Sequence, residues 1–82
     1  MNVSEVVIEI LKEISGLDHI DADDNLHNDL ALDSLAMVTL LILLEEKLGI
    51  ELDESDMNPM DLQTISDVSN MAARYLSNEK ES

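Results

Sequence analysis

Cysteine is absent from the 82 residues, so disulfides and thiolate metal sites are excluded and any thiol chemistry must come from an added group. Basic residues are scarce: four Lys plus Arg stand against 19 Asp plus Glu, for a formal net charge of -15. Such a chain repels nucleic acid and anionic membrane and is steered toward basic surfaces, so basic proteins are the expected partners. For acidic residues scattered through loops, solubility alone is an adequate reason. Long apolar runs are missing too. The most apolar stretch, Leu35 to Leu44, is too short to span a bilayer, and no basic segment leads into an apolar one near the N-terminus, so the expectation is a cytoplasmic protein. Aromatic residues are reduced to Tyr75, whereas there are five methionines, which suit a core able to re-pack.

Within those bounds, a hydrophobic content of 45% is enough for one modest core without metal or disulfide support, and a single domain over 1-82 is expected. Val3, Val7, Ile10, Leu11 and Ile14 recur at helical spacing. With Asn2 and Glu5 as a capping pair and Gly16 as a left-handed stop, they predict a helix over about 3–15. From Leu17 to Asp33 runs a long polar loop whose apolar residues, Leu17, Ile20, Leu26, Leu30 and Leu32, read as anchors pinning it across the core. Ser34 to about Leu48 predicts a second helix closed by Gly49, with Met37, Leu40, Leu41, Leu44 and Leu48 on the core face.

The opposite face of that helix is also apolar, with Leu35, Val38, Ile42 and Leu43 lying among Thr39, Glu45 and Glu46. A helix apolar nearly all round is buried on both sides or meets a partner, and so short a chain has little material to cover both. Ile50 to Met57 reads as a connector with Ile50 and Leu52 buried. Asn58 before Pro59 predicts a short helix near Pro59 to Gln63. Thr64 caps the last helix, Asp67 favours its first turn, and Ile65, Val68, Met71, Ala72, Tyr75 and Leu76 form its stripe. The polar tail of about 77-82 is expected to fray. With no internal repeat and no sustained strand alternation, the expected fold class is all-α: a small four-helix bundle of three longer helices and one short one, with a long loop between the first two.

Asp21, Asp23 and Asn25 open like a calcium-binding loop, but Leu26 stands where its turn glycine belongs and Leu32 where its bidentate glutamate belongs, so no metal site is expected. His19 and His27, eight residues apart in an acidic loop, read as solvated histidines. A hydrolytic triad built on Ser34 would need a shaped cleft and an oxyanion hole, for which so small a bundle offers little depth; an enzyme is not expected. Ser34 itself has two readings. Serine is among the commonest N-caps, yet no Glu or Gln follows three residues later to complete a capping box, and Asp33 can serve as the cap. Alternatively Ser34 is an attachment point. A phosphate on its hydroxyl would meet the N–H groups and the positive dipole end of the helix, beside an outer apolar face on which enzymes acting there could dock.

The segment Asp29-Leu30-Ala31-Leu32-Asp33-Ser34-Leu35, followed by an apolar helix ending in Leu44-Glu45-Glu46-Lys47-Leu48-Gly49, resembles the phosphopantetheine attachment region of acyl carrier proteins. In order and spacing of elements the resemblance covers nearly the whole chain. It implies that Ser34, flanked by Asp33 and Leu35, bears 4'-phosphopantetheine transferred from coenzyme A by a phosphopantetheinyl transferase. The arm's thiol would then carry acyl or aminoacyl groups as thioesters, which agrees with a chain that has no competing thiol of its own. The further partners implied are an acyl- or aminoacyl-activating ligase or transferase and ketosynthase-type or other downstream enzymes, met transiently by a monomer.

Two departures from the family pattern stand out. Ala31 occupies the place where many members have glycine, which puts in doubt any need for left-handed backbone there. Ala36 and Thr39 stand where carriers of fatty acid synthesis place acidic docking residues. The implied partner-docking surface is therefore more apolar, with Leu35, Ala36, Val38, Thr39 and Ile42 near the arm and Glu45 and Glu46 farther along. A specialised carrier, in secondary metabolism or modified-lipid assembly, fits this better than the housekeeping carrier of fatty acid synthesis, and the segment from Met57 to Ile65 also resembles such dedicated carriers. Fatty acid, polyketide and related cargoes stay open, with an aminoacyl or peptidyl carrier as the alternative. So does a rival of another class, an unmodified acidic adaptor that binds through Leu35, Val38 and Ile42. Met37, Leu44, Met57, Ile65 and Met71 could line an expandable space for lipid cargo, although ordinary core packing is the favoured reading for each.

Overall fold

The computed structural model describes residues 2–58 and 60–81, and side chains as far as Leu76. Its elements are α1 (Val3–Ser15), α2 (Ser34–Leu48), a three-residue 3-10 turn (Glu54–Asp56) and α3 (Ile65–Glu81). The first helix starts where Glu5 N–H donates to the Asn2 side chain at 2.9 Å and stops where Gly16, at φ 76°, returns its N–H to Lys12 O. It buries Val6, Val7, Ile10 and Leu11 and packs against both α2 and α3. The second helix buries Met37, Leu40, Leu41 and Leu44 and ends at the left-handed Gly49. The third has a reciprocal cap: Asp67 N–H donates to Thr64 Oγ1, while the Asp67 carboxylate accepts Thr64 N–H at 3.1 Å and Gln63 N–H at 3.0 Å. Ile65, Val68, Met71 and Ala72 are buried along it, with Tyr75 and Leu76 packed half-buried against the same core.

The long loop is ordered by its own side chains and by its pairing with the segment before α3. Asn25 Oδ1 accepts both His27 N–H and Asn28 N–H, and the Asp29 carboxylate accepts Asn25 N–H. Leu26, wholly buried, donates its N–H to Gln63 O at 2.8 Å, and Asn25 and Thr64 form an isolated antiparallel bridge. Ile20, Leu30 and Leu32 are buried anchors as expected. Leu17 is not. It is 43% exposed, turned outward directly after left-handed Gly16, with its N–H donated to Ser15 Oγ.

The fold is all-α, but the fourth helix is not where the sequence places it. Among the described residues, the short helical element is the 3-10 turn Glu54–Asp56, capped by Asp53, whose Oδ1 accepts Ser55 N–H. Residues 60–61 form only a turn, and Pro59 lies outside the described residues. The physical reason is non-local. Leu62 is buried and Gln63 O accepts Leu26 N–H next to the Asn25–Thr64 bridge, so residues 62–64 are committed to pairing with the long loop. At the other end, the α3 backbone is helical to Glu81, and Ser82 lies outside the described residues.

Candidate functional site: the start of the second helix

Three consecutive residues set up the start of α2. Ala31 takes a left-handed backbone, φ 54°, and is the one residue other than glycine with positive φ among the described residues. Leu32 then turns into the core, and its N–H donates to Leu26 O at 3.0 Å. Asp33, in extended conformation, becomes the N-cap. Its Oδ1 accepts Ala36 N–H at 2.8 Å and its carbonyl accepts Met37 N–H at 3.0 Å. The doubt raised by alanine at position 31 is resolved: the left-handed turn is kept, at the strain an L side chain carries there.

The N-cap of α2 is Asp33 and not Ser34. The capping duty belongs to Asp33, so the Ser34 hydroxyl, exposed on the first residue of the helix, has no hydrogen-bond partner among the described residues. No acidic residue follows in the first turn, and the N–H groups of Ser34 and Leu35 have no acceptor among the described residues. A phosphodiester on Ser34 Oγ fits such an end: free N–H donors, the positive end of the dipole and open solvent for what is attached beyond it.

Beside the hydroxyl runs an uncharged strip. Leu35 is 75% exposed, Val38 45% and Ile42 47%. Thr39 Oγ1 donates to Leu35 O at 3.0 Å, so its polar atom is spent on the helix backbone. Ala36 and Leu43, by contrast, pack partly buried against the core. Of the two glutamates farther along, Glu46 is exposed, whereas the Glu45 carboxylate is half-buried and accepts Leu52 N–H at 2.8 Å. Glu45 thus ties α2 to the connector.

A second tie holds the connector to α3. Tyr75 OH donates to Asp56 Oδ2 and accepts Asp53 N–H at 2.9 Å, and the Arg74 guanidinium lies 3.7 Å from the other Asp56 oxygen. The hydrogen bond to the Asp56 carboxylate, together with burial, raises the Tyr75 phenol above its ordinary value. Open clefts flank this link, and they include no residue of the long loop or of α2. Sequence reasoning places Tyr75 only in the buried stripe; its hydroxyl bridges residues 19 and 22 positions away, which no local pattern signals.

In the calcium-like loop the Asp24 carboxylate accepts Asp21 N–H and Asn25 Oδ1 accepts His27 N–H, while Ala22 O and Asp24 O accept from Ser66 and Ile65; no group of three or more His, Asp and Glu able to hold a metal occurs among the described residues. His19 is exposed and 3.3 Å from Asp21, while His27 is not merely solvated: its Nε2 hydrogen-bonds Leu62 O at 3.1 Å. Met37, Leu44, Ile65 and Met71 are buried in one core, with Met57 packed at its edge. No helix among the described residues is long and apolar enough to cross a membrane.

The start of α2 thus presents an exposed hydroxyl, Ser34, that makes no hydrogen bond among the described residues. The family model for the phosphopantetheine attachment site matches residues 5–72, and the chain belongs to that family of carrier proteins, which hold covalent 4'-phosphopantetheine and are not catalysts. It is 43% identical over 58 residues to a D-alanyl carrier protein of Enterococcus faecalis, covering 68% of this chain and 74% of that one. To an acyl carrier protein of Kineococcus radiotolerans it is 35% identical over 71 residues, 84% of this chain and 80% of that one. A solved structure assigned as an acyl carrier protein from Mycobacterium tuberculosis superposes with a TM-score of 0.79 at 27% identity, over 89% of this chain and 97% of that chain.

Proposed function

We propose that Ser34 is the attachment residue and that residues 1-82 act in the cytoplasm as one carrier domain, shuttling thioester-linked acyl intermediates between enzymes. The observation that carries this reading is the division of labour at the helix start: Asp33 caps Ala36 N–H and leaves the Ser34 hydroxyl exposed and unengaged. In the loading step the Ser34 oxygen bonds to the pantetheine-side phosphorus of coenzyme A. The bond to the adenosine-side phosphate breaks, 3'-phosphoadenosine 5'-phosphate leaves, and the serine proton passes to the transferase.

Leu35, Val38 and Ile42 form the contact strip for the transferase, the activating ligase and downstream enzymes, with Ala36 and Thr39 keeping it free of charge and Glu46 at its far end. Glu45 contributes by holding the connector. Because the first two turns of α2 lack acidic residues, the partners are those of a specialised carrier rather than of housekeeping fatty acid synthesis. The relative named D-alanyl carrier protein favours a second reading for the cargo, an aminoacyl group in place of a fatty acyl or polyketide chain.

Intact mass spectrometry after incubation with coenzyme A and a broad-specificity phosphopantetheinyl transferase tests the attachment. One phosphopantetheinyl adduct is expected on the native chain and none on Ser34→Ala. No adduct with several transferases would leave the unmodified adaptor as the better reading. Thioester formation on the loaded protein by ligases offered D-alanine or fatty acids then separates the cargo classes.

A further inference from the structure

Met60 is the most exposed large apolar side chain among the described residues, at 79%. A single exposed methionine is ordinary on a protein surface, so its exposure alone says nothing. Its backbone says more. Met60 N–H donates to Asn58 Oδ1 at 3.0 Å, Met60 O accepts from Gln63 Nε2 at 2.6 Å, and Asp61 N–H donates to Asn58 O at 3.0 Å. Both polar groups of Met60 are thus held by neighbouring side chains while its own side chain is held out in water.

The turn is also moored beside the attachment loop. His27 Nε2 bonds Leu62 O, Leu26 N–H donates to Gln63 O, and Leu32 N–H, two residues before Ser34, donates to Leu26 O. The surroundings are mainly acidic, although Arg74, paired with Asp56, lines a cleft together with Asp61 and Leu62. No Lys or Arg occurs between Lys12 and Lys47 or between Lys47 and Arg74, and Asp61, Asp33 and Asp29 are exposed.

Resting on the carrier reading, we propose that Met60 is a second docking anchor, separate from α2, for the phosphopantetheinyl transferase, whose complementary surface is an apolar pocket rimmed by Lys or Arg. The choice of partner follows from reach. Enzymes that use the loaded thiol act at the end of a flexible arm, whereas the transferase must bring its own active site to the Ser34 oxygen and therefore lies directly against the surface around it. Charge steers that encounter, and rigid apolar contacts fix its register.

The test is the rate of adduct formation with a broad-specificity transferase and saturating coenzyme A, at varied carrier concentration. Met60→Gln keeps length and removes the apolar tip. It should raise KM for the carrier on the order of tenfold, equivalent to about 1.4 kcal/mol, with kcat and melting temperature little changed. Met60→Leu should stay within about twofold of the native chain, and added salt should raise KM for all three. An unchanged KM for Met60→Gln, with the adduct still formed on Ser34, overturns the anchor and leaves the carrier reading intact. Equal losses in Met60→Gln and Met60→Leu overturn the apolar character of the contact. Absence of any adduct on the native chain removes both proposals together.

Discussion

Replacing Ala31 by glycine should make the protein more stable, against the usual sense of inserting glycine. Ala31 sits at φ 54°, where an L side chain crowds its own carbonyl at a cost of about 1–2 kcal/mol. Glycine removes that cost but enlarges the conformational freedom of the unfolded chain, which returns about 0.4–1 kcal/mol. The net expectation is a gain of about 0.5–1 kcal/mol. For a chain of 82 residues the unfolding entropy at the midpoint is about 0.17 kcal/mol/K, so the melting temperature should rise by roughly 3–6 °C. The assay is a thermal melt followed by far-ultraviolet circular dichroism, paired with urea unfolding to check that the m-value is unchanged. Ala31→Val supplies the opposite sign, because a β-branched residue is a worse occupant of the left-handed region, and its melt should fall. A glycine variant that melts at or below the native temperature refutes the argument, since it would mean that position 31 is unstrained. The loading rate at Ser34 should be the same in Ala31→Gly and the native chain, because glycine leaves the turn into Asp33 where it is.

Three further perturbations probe the ties around the core. Tyr75→Phe removes the hydroxyl shared by Asp56 and Asp53 N–H, and a loss of about 1–2 kcal/mol in urea unfolding is expected. In the native chain, tyrosinate absorbance should titrate above the denatured value; since the folded phenol is raised, its stabilisation is complete below about pH 10 and is lost as pH climbs through the folded value. A native titration coinciding with the denatured one would refute the link to Asp56. Glu45→Ala should cost about 1.5 kcal/mol by leaving Leu52 N–H without its charged acceptor, and Glu46→Ala close to nothing; equal stabilities in chemical denaturation would show Glu45 to be only a surface charge. Ser69→Ala should stabilise by roughly 1 kcal/mol, because the Ser69 hydroxyl is buried with no hydrogen-bond partner among the described residues, and a lower midpoint in the same assay would reveal a partner.

The three α-helices are legible in sequence because their determinants are local: apolar spacing, Asn2, Asp33 and Thr64 at their starts, Gly16 and Gly49 at two of their ends. What escapes the sequence is non-local. The Asn58-Pro59 pair is a fair helix-start signal, but it competes with Leu26, which needs Gln63 O, and with the burial of Leu62. Glu45 reaches Leu52 across seven positions, a spacing with no helical or strand meaning, and so it reads from sequence as one more outward acid. The left-handed Ala31 is hidden for a similar reason: its φ follows from two buried neighbours, Leu30 and Leu32, having to enter the core on either side of it. At the candidate site the position of Ser34 is legible, while its freedom is not, because Asp33 or Ser34 could each have capped the helix until the Asp33–Ala36 bond is seen.

The docking proposed for α2 can be weighed in magnitude. Fully burying one Leu, Val or Ile side chain is worth about 1.5–3 kcal/mol, and at the observed exposures Leu35, Val38 and Ile42 together could contribute roughly 3 kcal/mol. Micromolar binding requires about 8 kcal/mol, after the translational and rotational cost of association has been met. The strip therefore fixes register without being able to hold a partner by itself. The remainder has to come from elsewhere, and the feature best suited to supply it is the net charge of -15, acting on basic surfaces at long range. Attraction of this kind raises the rate of encounter far more than the lifetime of the complex, and it weakens as salt shortens the screening length. A carrier that visits several enzymes in turn gains from that division: charge brings it quickly, a small apolar contact orients Ser34, and little apolar area slows its release.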